Sequence, residues 1–316
     1  MKNSNLIFAC DIGGTTIKFG IVDLKDNKIQ YNFSIPTQSE ISPIIVIENI
    51  IKGIDKLTKV NPEINYIGIG VPGVINDNNE VCYPPNFNGW NKVPLYEILK
   101  KNIGEKFEIR IDNDAKTAAL SEFLNCGKNI SDMIFITLGT GVGGCIISKG
   151  KIFRGFKGGA GEIGHVSIDY KGLLCKCGSR GCIESYLGQK FMSDQATDEL
   201  KDNPDSILVD MIKFNKMEPK LINKAAEQND KFAIEFLRKR GAMLGSVIAS
   251  VMNLLDIHLT IIGGGTSESN ILISSTNEEM NSRLLKSIQP TSELRLAKYL
   301  KDSGVIGAAN LFKILS

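Results

Sequence analysis

The sequence predicts an α/β protein of two domains. Three observations carry this. Short apolar runs alternate with longer segments of helical spacing, a strand–Gly/Thr turn–strand unit occurs twice, and no proline-rich or low-complexity linker divides the chain. At 316 residues the chain is long enough for two domains. Without a linker the boundary has to be a hinge, placed at 111–113. The expected domains are therefore 1–112 and 113–302, the second bearing a cysteine-rich loop, with a terminal helix at 303–316 packing back on the first.

Taken in order, "FACDIGGTTIKFGIVD" (8–23) reads as a strand, a Gly/Thr turn and a second strand. Its glycines tolerate positive φ and its small residues admit close backbone approach. Successive amides in such a turn make an anion-binding concavity, and threonine hydroxyls add donors; a plain hairpin is the alternative. "SPIIVIENIIKGIDKLTKV" (42–60) has helical spacing, and "NYIGIGVPG" is a buried strand ended by Pro72-Gly73. "EIRID" (108–112) is another strand. "NDAKTAALSEFL" (113–124) opens with Asn and Asp before an Ala/Leu-rich helix, so an N-cap is one reading of Asp114.

"IFITLGTGVGGCIISKG" (134–150) repeats the first hairpin pattern. One such turn in each half points to phosphate handling, and no G-x-x-x-x-G-K-[ST] follows either strand, so neither is a Walker loop. Residues 231–256 form a long amphipathic helix feeding the strand "HLTII" and Gly263-Gly264-Gly265, and "SGVIGAANLFKIL" closes the chain.

Composition narrows the function classes. The chain is 42% hydrophobic and 23% charged, ordinary for a globular protein, with net charge +2 from 37 basic and 35 acidic residues. No basic block points to nucleic acid or an anionic membrane. The opening "MKNSNLIFACDIGG" is too short for a signal-peptide core, and no run approaches the roughly 20 apolar residues of a membrane helix. A cytoplasmic protein is expected.

Three of the seven cysteines fall in "CKCGSRGCIE" (175–184). An odd count in a reducing compartment suits disulfides poorly, and Cys175 and Cys177 are too close in sequence to bridge without strain. Zinc suits them better, because Gly178 and Gly181 let the loop wrap one ion. A fourth ligand is needed. Of two histidines, His165 in "GGAGEIGHVSID" lies ten residues upstream of Cys175, giving a Cys3His structural site; chance clustering is the alternative. His258 has no such company.

"DIGGTTIK", "DNDAKTAALSE", "LGTGVGG", "GGAGEIGH", "CKCGSRGCIE", "IIGGG" and "SGVIGAA" occur in the order seen in the ROK family of sugar kinases and repressors, which the chain resembles from about residue 6 to 312. The resemblance is closest to the family's bacterial glucokinases. It implies the actin-like (ribonuclease H-like) ATPase fold, two domains around a cleft. It further implies transfer of phosphate from ATP to the 6-hydroxyl of a hexose, glucose first, with Asp114 as general base. Asn113, Asp114, Glu162, His165 and Glu184 would bind the sugar. Asp11 would hold Mg2+ through water. Gly13, Gly14, Thr15, Thr16, Lys18, Thr140, Gly141, Gly264 and Gly265 would meet ATP, and His165, Cys175, Cys177 and Cys182 would hold a structural Zn2+.

Two positions depart from the family's Glu-Asn-Asp-Ala-Asn, namely Asp112 and Lys116; the Asn-Asp core is kept. Only about ten residues precede Asp11, leaving no room for the helix-turn-helix that the family's repressors carry there. The resemblance also implies a homodimer or homotetramer, with no nucleic acid or membrane partner. Among enzymes, N-acetylmannosamine kinase and fructokinase share these motifs. A non-catalytic sugar-responsive protein is the reading from another class, and retention of Asp114 with both hairpins speaks against it. The loop "YPPNFNGW" (83–90) resembles a segment near the family's sugar cleft, although its Trp90 reads first as a core anchor.

Overall fold

The computed structural model describes residues 5–85, 87–127, 129–299 and 301–314. Asn86 of the 83–90 loop and residues 315–316 of the expected closing helix lie outside them. The chain forms two compact units, 1–130 with 151–160 and 301–316, and 131–150 with 161–300. This division differs from a boundary at 112/113. The helix Asp114–Phe123 belongs to the first unit because the closing helix Ser303–Ile314 lies along it. The approach is so close that a Cβ on Gly307 would stand 1.6 Å from the Thr117 carbonyl oxygen.

In the first unit, Leu6–Ile12 pairs antiparallel with Thr16–Asp23, which pairs antiparallel with Lys28–Pro36. On its other side Leu6–Ile12 runs parallel to Tyr66–Val71, and that strand runs parallel to Glu108–Asn113. The two parallel registers align Asp11, Gly70 and Asp112 across neighbouring strands near their carboxyl ends, the end at which open α/β sheets bind ligands. The helix Pro43–Val60 starts where the Ser42 hydroxyl accepts the Ile45 N–H and Pro43 supplies a preset φ. It covers one face of the sheet, with Gly53 passing over the Phe19 ring. Gly20, the next residue of that strand and so on the opposite face, meets Val305 of the closing helix. Trp90 is buried in this unit's core, edge-on to Phe87 with ring centroids 5.3 Å apart, which is the core-anchor reading.

The second unit repeats the plan. Met133–Leu138 and Val142–Ser148 form an antiparallel hairpin, Leu259–Gly263 runs parallel to Met133–Leu138, and Glu293–Leu296 runs parallel to Leu259–Gly263. The helix Lys231–Leu255 is capped by Asp230, whose Oδ1 accepts the Ala233 N–H at 2.8 Å, and stops at Asp256, which turns left-handed at φ 54°. It packs on Asn270–Arg283 through Gly241 and Gly245, where a Cβ would stand 2.3 Å and 2.4 Å from the carbonyl oxygens of Leu272 and Thr276. Among the described residues, no helix is long and apolar enough to cross a membrane.

Candidate active site and metal centre

The first unit carries the candidate base. Asn113 ends a strand in extended conformation and its Oδ1 accepts the Lys116 N–H at 3.1 Å, so Asn113, not Asp114, is the cap. Its Nδ2 donates to the Gly73 carbonyl at 3.0 Å. Asp114 is the first helical residue, half-buried, with Oδ1 accepting the Ala115 N–H at 2.9 Å. A carboxylate there sits at the positive end of the helix dipole.

The first hairpin turn is fastened by its carbonyls. Gly13 O accepts the Thr37 hydroxyl at 2.6 Å, Gly14 O accepts the Ser39 hydroxyl at 2.6 Å, and Thr15 O accepts the Thr37 N–H at 2.9 Å. A trans peptide directs its N–H opposite to its C=O, so the N–H groups of Gly14, Thr15 and Thr16 face away from those anchors. Gly14 and Thr15 are exposed. Those N–H groups are thus turned away from the segment 37–39 that anchors the carbonyls. Asp11 stands in register with Lys18, and its carboxyl lies against the start of the closing helix, where a Cβ on Gly304 would be 2.3 Å from Asp11 Cγ. Burial raises the Asp11 pKa and Lys18 opposes the rise. A cation beside Asp11 would favour its ionised form, which suits a Mg2+ partner. Lys18 itself donates to the Lys301 carbonyl at 2.7 Å, so its ammonium is held by the protein.

In the second unit the cysteine loop and its histidine meet as the sequence proposes. One ligand atom from each of His165, Cys175, Cys177 and Cys182 lies within 4.8 Å of all the others. Cys175 Sγ is 3.8 Å from His165 Nδ1, and Cys177 Sγ is 3.7 Å from Cys182 Sγ. Two thiolates on a tetrahedral zinc, each about 2.3 Å from it, would stand roughly 3.8 Å apart. The donor set and spacing fit the metal. The Cys175 N–H donates to Ser179 O at 2.8 Å, and the Ile168 N–H donates to Gly181 O at 2.9 Å, closing the loop on the His165 segment. Gly181 is obligatory, since at φ 72° its Cβ would lie 1.7 Å from Asp169 O. A hydrogen bond from the Ser179 backbone holds the Cys177 thiol below its usual range, whereas burial, with the neighbouring thiols adding, pushes Cys182 up to about 12.

Glu184 follows the loop and opens a short helix, Glu184–Leu187. Its Oε2 accepts the Val142 N–H at 2.9 Å, and a Cβ on Gly141 would be 2.3 Å from that oxygen. Gly141 is small for the sake of Glu184. Glu162 is exposed, and its carbonyl accepts the His165 N–H at 3.1 Å, which starts the turn Ile163–His165.

A cavity of about 410 Å3 opens beside the second hairpin, lined in part by Gly139, Thr140, Glu218, Lys220, Asn223 and Gly265. Of the second unit's four ATP residues named from the sequence, Thr140 and Gly265 line it and Gly141 and Gly264 do not. Gly264 is required by the protein instead, because at φ 88° its Cβ would lie 2.2 Å from Leu138 O. Glu218, Lys220 and Asn223 were not singled out in the sequence. The only local signal is Pro219, a helix-start proline for Pro219–Glu227.

Two α/β units that each present a Gly/Thr hairpin, one of them carrying a Cys3His cluster, define an actin-like ATPase fold of the sugar-kinase type. The ROK family profile matches residues 7–314, and the chain belongs to that family. It is 33% identical to a glucokinase of Halalkalibacterium halodurans over 311 residues, covering 96% of this chain and 93% of that one. It matches the structure of a ROK family glucokinase from Streptomyces griseus in complex with glucose and AMPPNP at TM-score 0.84 and 29% identity, covering 97% of this chain and 98% of that one. An N-acetyl-D-glucosamine kinase of Pasteurella multocida is 27% identical over 96% of this chain and 98% of its own length. Family relatives also include a xylose repressor of Caldicellulosiruptor bescii, 28% identical over 83% of this chain and 65% of its own length.

Proposed function

We propose that the protein is an ATP-dependent hexose 6-kinase acting on glucose. The observation that carries the reading is the division of labour at one helix start: Asn113 caps, and Asp114 beside it holds a carboxylate that the cap does not need. The family's glucose- and AMPPNP-bound relative supports the substrate pair. In the reaction, the sugar hydroxyl oxygen bonds to the γ-phosphorus, the bond to the β–γ bridging oxygen breaks, and ADP leaves. Asp114 takes the hydroxyl proton as that bond forms. Mg2+, held near Asp11 through water, would neutralise charge on the phosphates. The amides of Gly14, Thr15 and Thr16 would bind phosphate oxygens, with Gly13 giving the turn its shape. The cavity beside Thr140 and Gly265 is large enough to take a nucleoside.

Glu162, His165 and Glu184 would hold sugar hydroxyls. Ionised carboxylates only accept, which suits free hydroxyls rather than an N-acetyl group. Glu184 has one oxygen engaged by Val142 and keeps Oε1 for this purpose. His165 directs Nδ1 to the cysteines and keeps Nε2. With four protein donors around it, zinc would be structural, orienting the histidine rather than activating water. A cytoplasmic homodimer or homotetramer completes the reading.

N-acetylmannosamine kinase, fructokinase and a non-catalytic sugar sensor remain the rivals. ADP release coupled to a detection enzyme, measured over glucose, N-acetylmannosamine, N-acetylglucosamine and fructose, separates them. Turnover with none of these sugars would leave only the sensor.

A further inference from the structure

Lys116 is almost completely buried, with 4% of its surface exposed, and sits in the first turn of the helix that begins at Asp114. Its ammonium donates to the Gly158 carbonyl. No carboxylate among the described residues lies within ion-pair distance of it. This is an expensive place for a charge. It is desolvated, paired with a neutral oxygen alone, and set at the positive end of a helix, where the dipole disfavours a cation. An apolar side chain of the same length would serve packing better.

The partner explains the choice. Gly158 lies in the loop 154–160, and the start of that loop is also pinned to the same short segment. Arg154 places Nη1 and Nη2 at 3.1 Å and 2.6 Å from the two oxygens of Asp112, whose side chain is 2% exposed. Asp112 Oδ1 also accepts the Asn113 N–H at 2.8 Å. The Ala160 N–H donates to Arg154 O at 3.0 Å and closes the loop 154–160. Gly158, at φ 78°, has no room for a side chain, since its Cβ would be 2.6 Å from Ile75 O. Asn113 and Asp114 thus lie between two residues, Asp112 and Lys116, that grip one loop at two points, Arg154 and Gly158.

We propose that Lys116, with Arg154, is a positioning residue for the base. The two pins hold the 154–160 loop against the helix start and so fix the Asp114 carboxylate against drift. The inference rests on Asp114 being the base. A displacement of about 1 Å at a reacting group costs on the order of 100-fold in rate, so a rigid helix start has value that stability alone would not select.

The test is Lys116→Met, compared with the wild type and with Asp114→Asn. Because methionine removes a poorly satisfied buried charge, its melting temperature should equal or exceed the wild type's. Turnover should nevertheless fall about 10–100-fold, with the sugar KM within about threefold. Amide exchange over 113–116 and 154–160 should quicken about tenfold while the rest of the first unit is unchanged. A melting temperature that drops together with turnover would mark Lys116 as merely structural and overturn the proposal. So would unchanged exchange, or turnover within twofold of wild type. If Asp114→Asn is inactive while Lys116→Met is fully active, the positioning inference falls and the base reading stands. If Asp114→Asn is fully active there is no base to position, and both fall.

Discussion

Asp114 and Asn113 are adjacent, and the sequence could not say which of them caps the helix. The side chain that accepts the Lys116 N–H is Asn113, a fact set by backbone angles at the strand end rather than by residue type. It makes the key variant clean. Asp114→Asn leaves the cap intact, so the protein should fold with an unchanged melting temperature while turnover falls about 10²–10⁴-fold. Steady-state kinetics beside a thermal melt check both halves, and near-normal turnover would remove Asp114 from the chemistry. The metal residues were legible because thiols so close in sequence have few other uses. Their test is Cys177→Ser, at the one exposed cysteine of the cluster. Zinc measured on purified protein should fall from about one equivalent to well below half, and the sugar KM should rise before global stability collapses. Less than half an equivalent in the wild type, prepared without chelator, would count against the site. What the sequence could not show is that Glu184 reaches across 42 residues to the Val142 N–H. The departures Asp112 and Lys116 stood out as anomalies, and only the structure reveals that they hold one loop.

The two hairpins were readable as elements because buried strands and glycine-rich turns leave local marks. The helices Leu95–Ile103, Gln189–Glu199 and Pro219–Glu227 were not read, being only 9, 11 and 9 residues long, too short for a periodic pattern to stand out in the sequence. The compact units divide differently from the expected 112/113 boundary because the helix Asp114–Phe123 packs on a partner nearly two hundred residues later in the sequence. That partner is seated through glycine. Gly307 admits the Thr117 carbonyl and Gly68 admits that of Ala308, with Cβ distances of 1.6 Å and 1.9 Å that no side chain tolerates. Gly307→Ala should therefore push two helices apart and cost about 1–3 kcal/mol, well above an ordinary helical Gly→Ala change, which usually stabilises. A denaturant midpoint at or above the wild type's would show that the contact yields easily.

At the scale of the molecule, the fold class and the family were open to the sequence, whereas the choice of sugar is a matter of small differences. Glucose should show a kcat/KM at least tenfold above those for N-acetylmannosamine and fructose, a margin of only about 1.4 kcal/mol. Side-by-side specificity constants decide it, and a preference for N-acetylmannosamine would replace the substrate without touching the reaction. The closing helix carries a different consequence, one of timing. Val305, Ala308 and Ala309 complete a small core with Ile7, Ala9 and Val22, so the strand Leu6–Ile12 is finished by residues made about 300 positions later. At about 5–20 residues per second, that strand waits on the order of 15–60 s with one apolar face uncovered. During synthesis the first unit is an unfinished client for chaperones until the helix Ser303–Ile314 has been made, and a chain interrupted before Val305 would never leave that state.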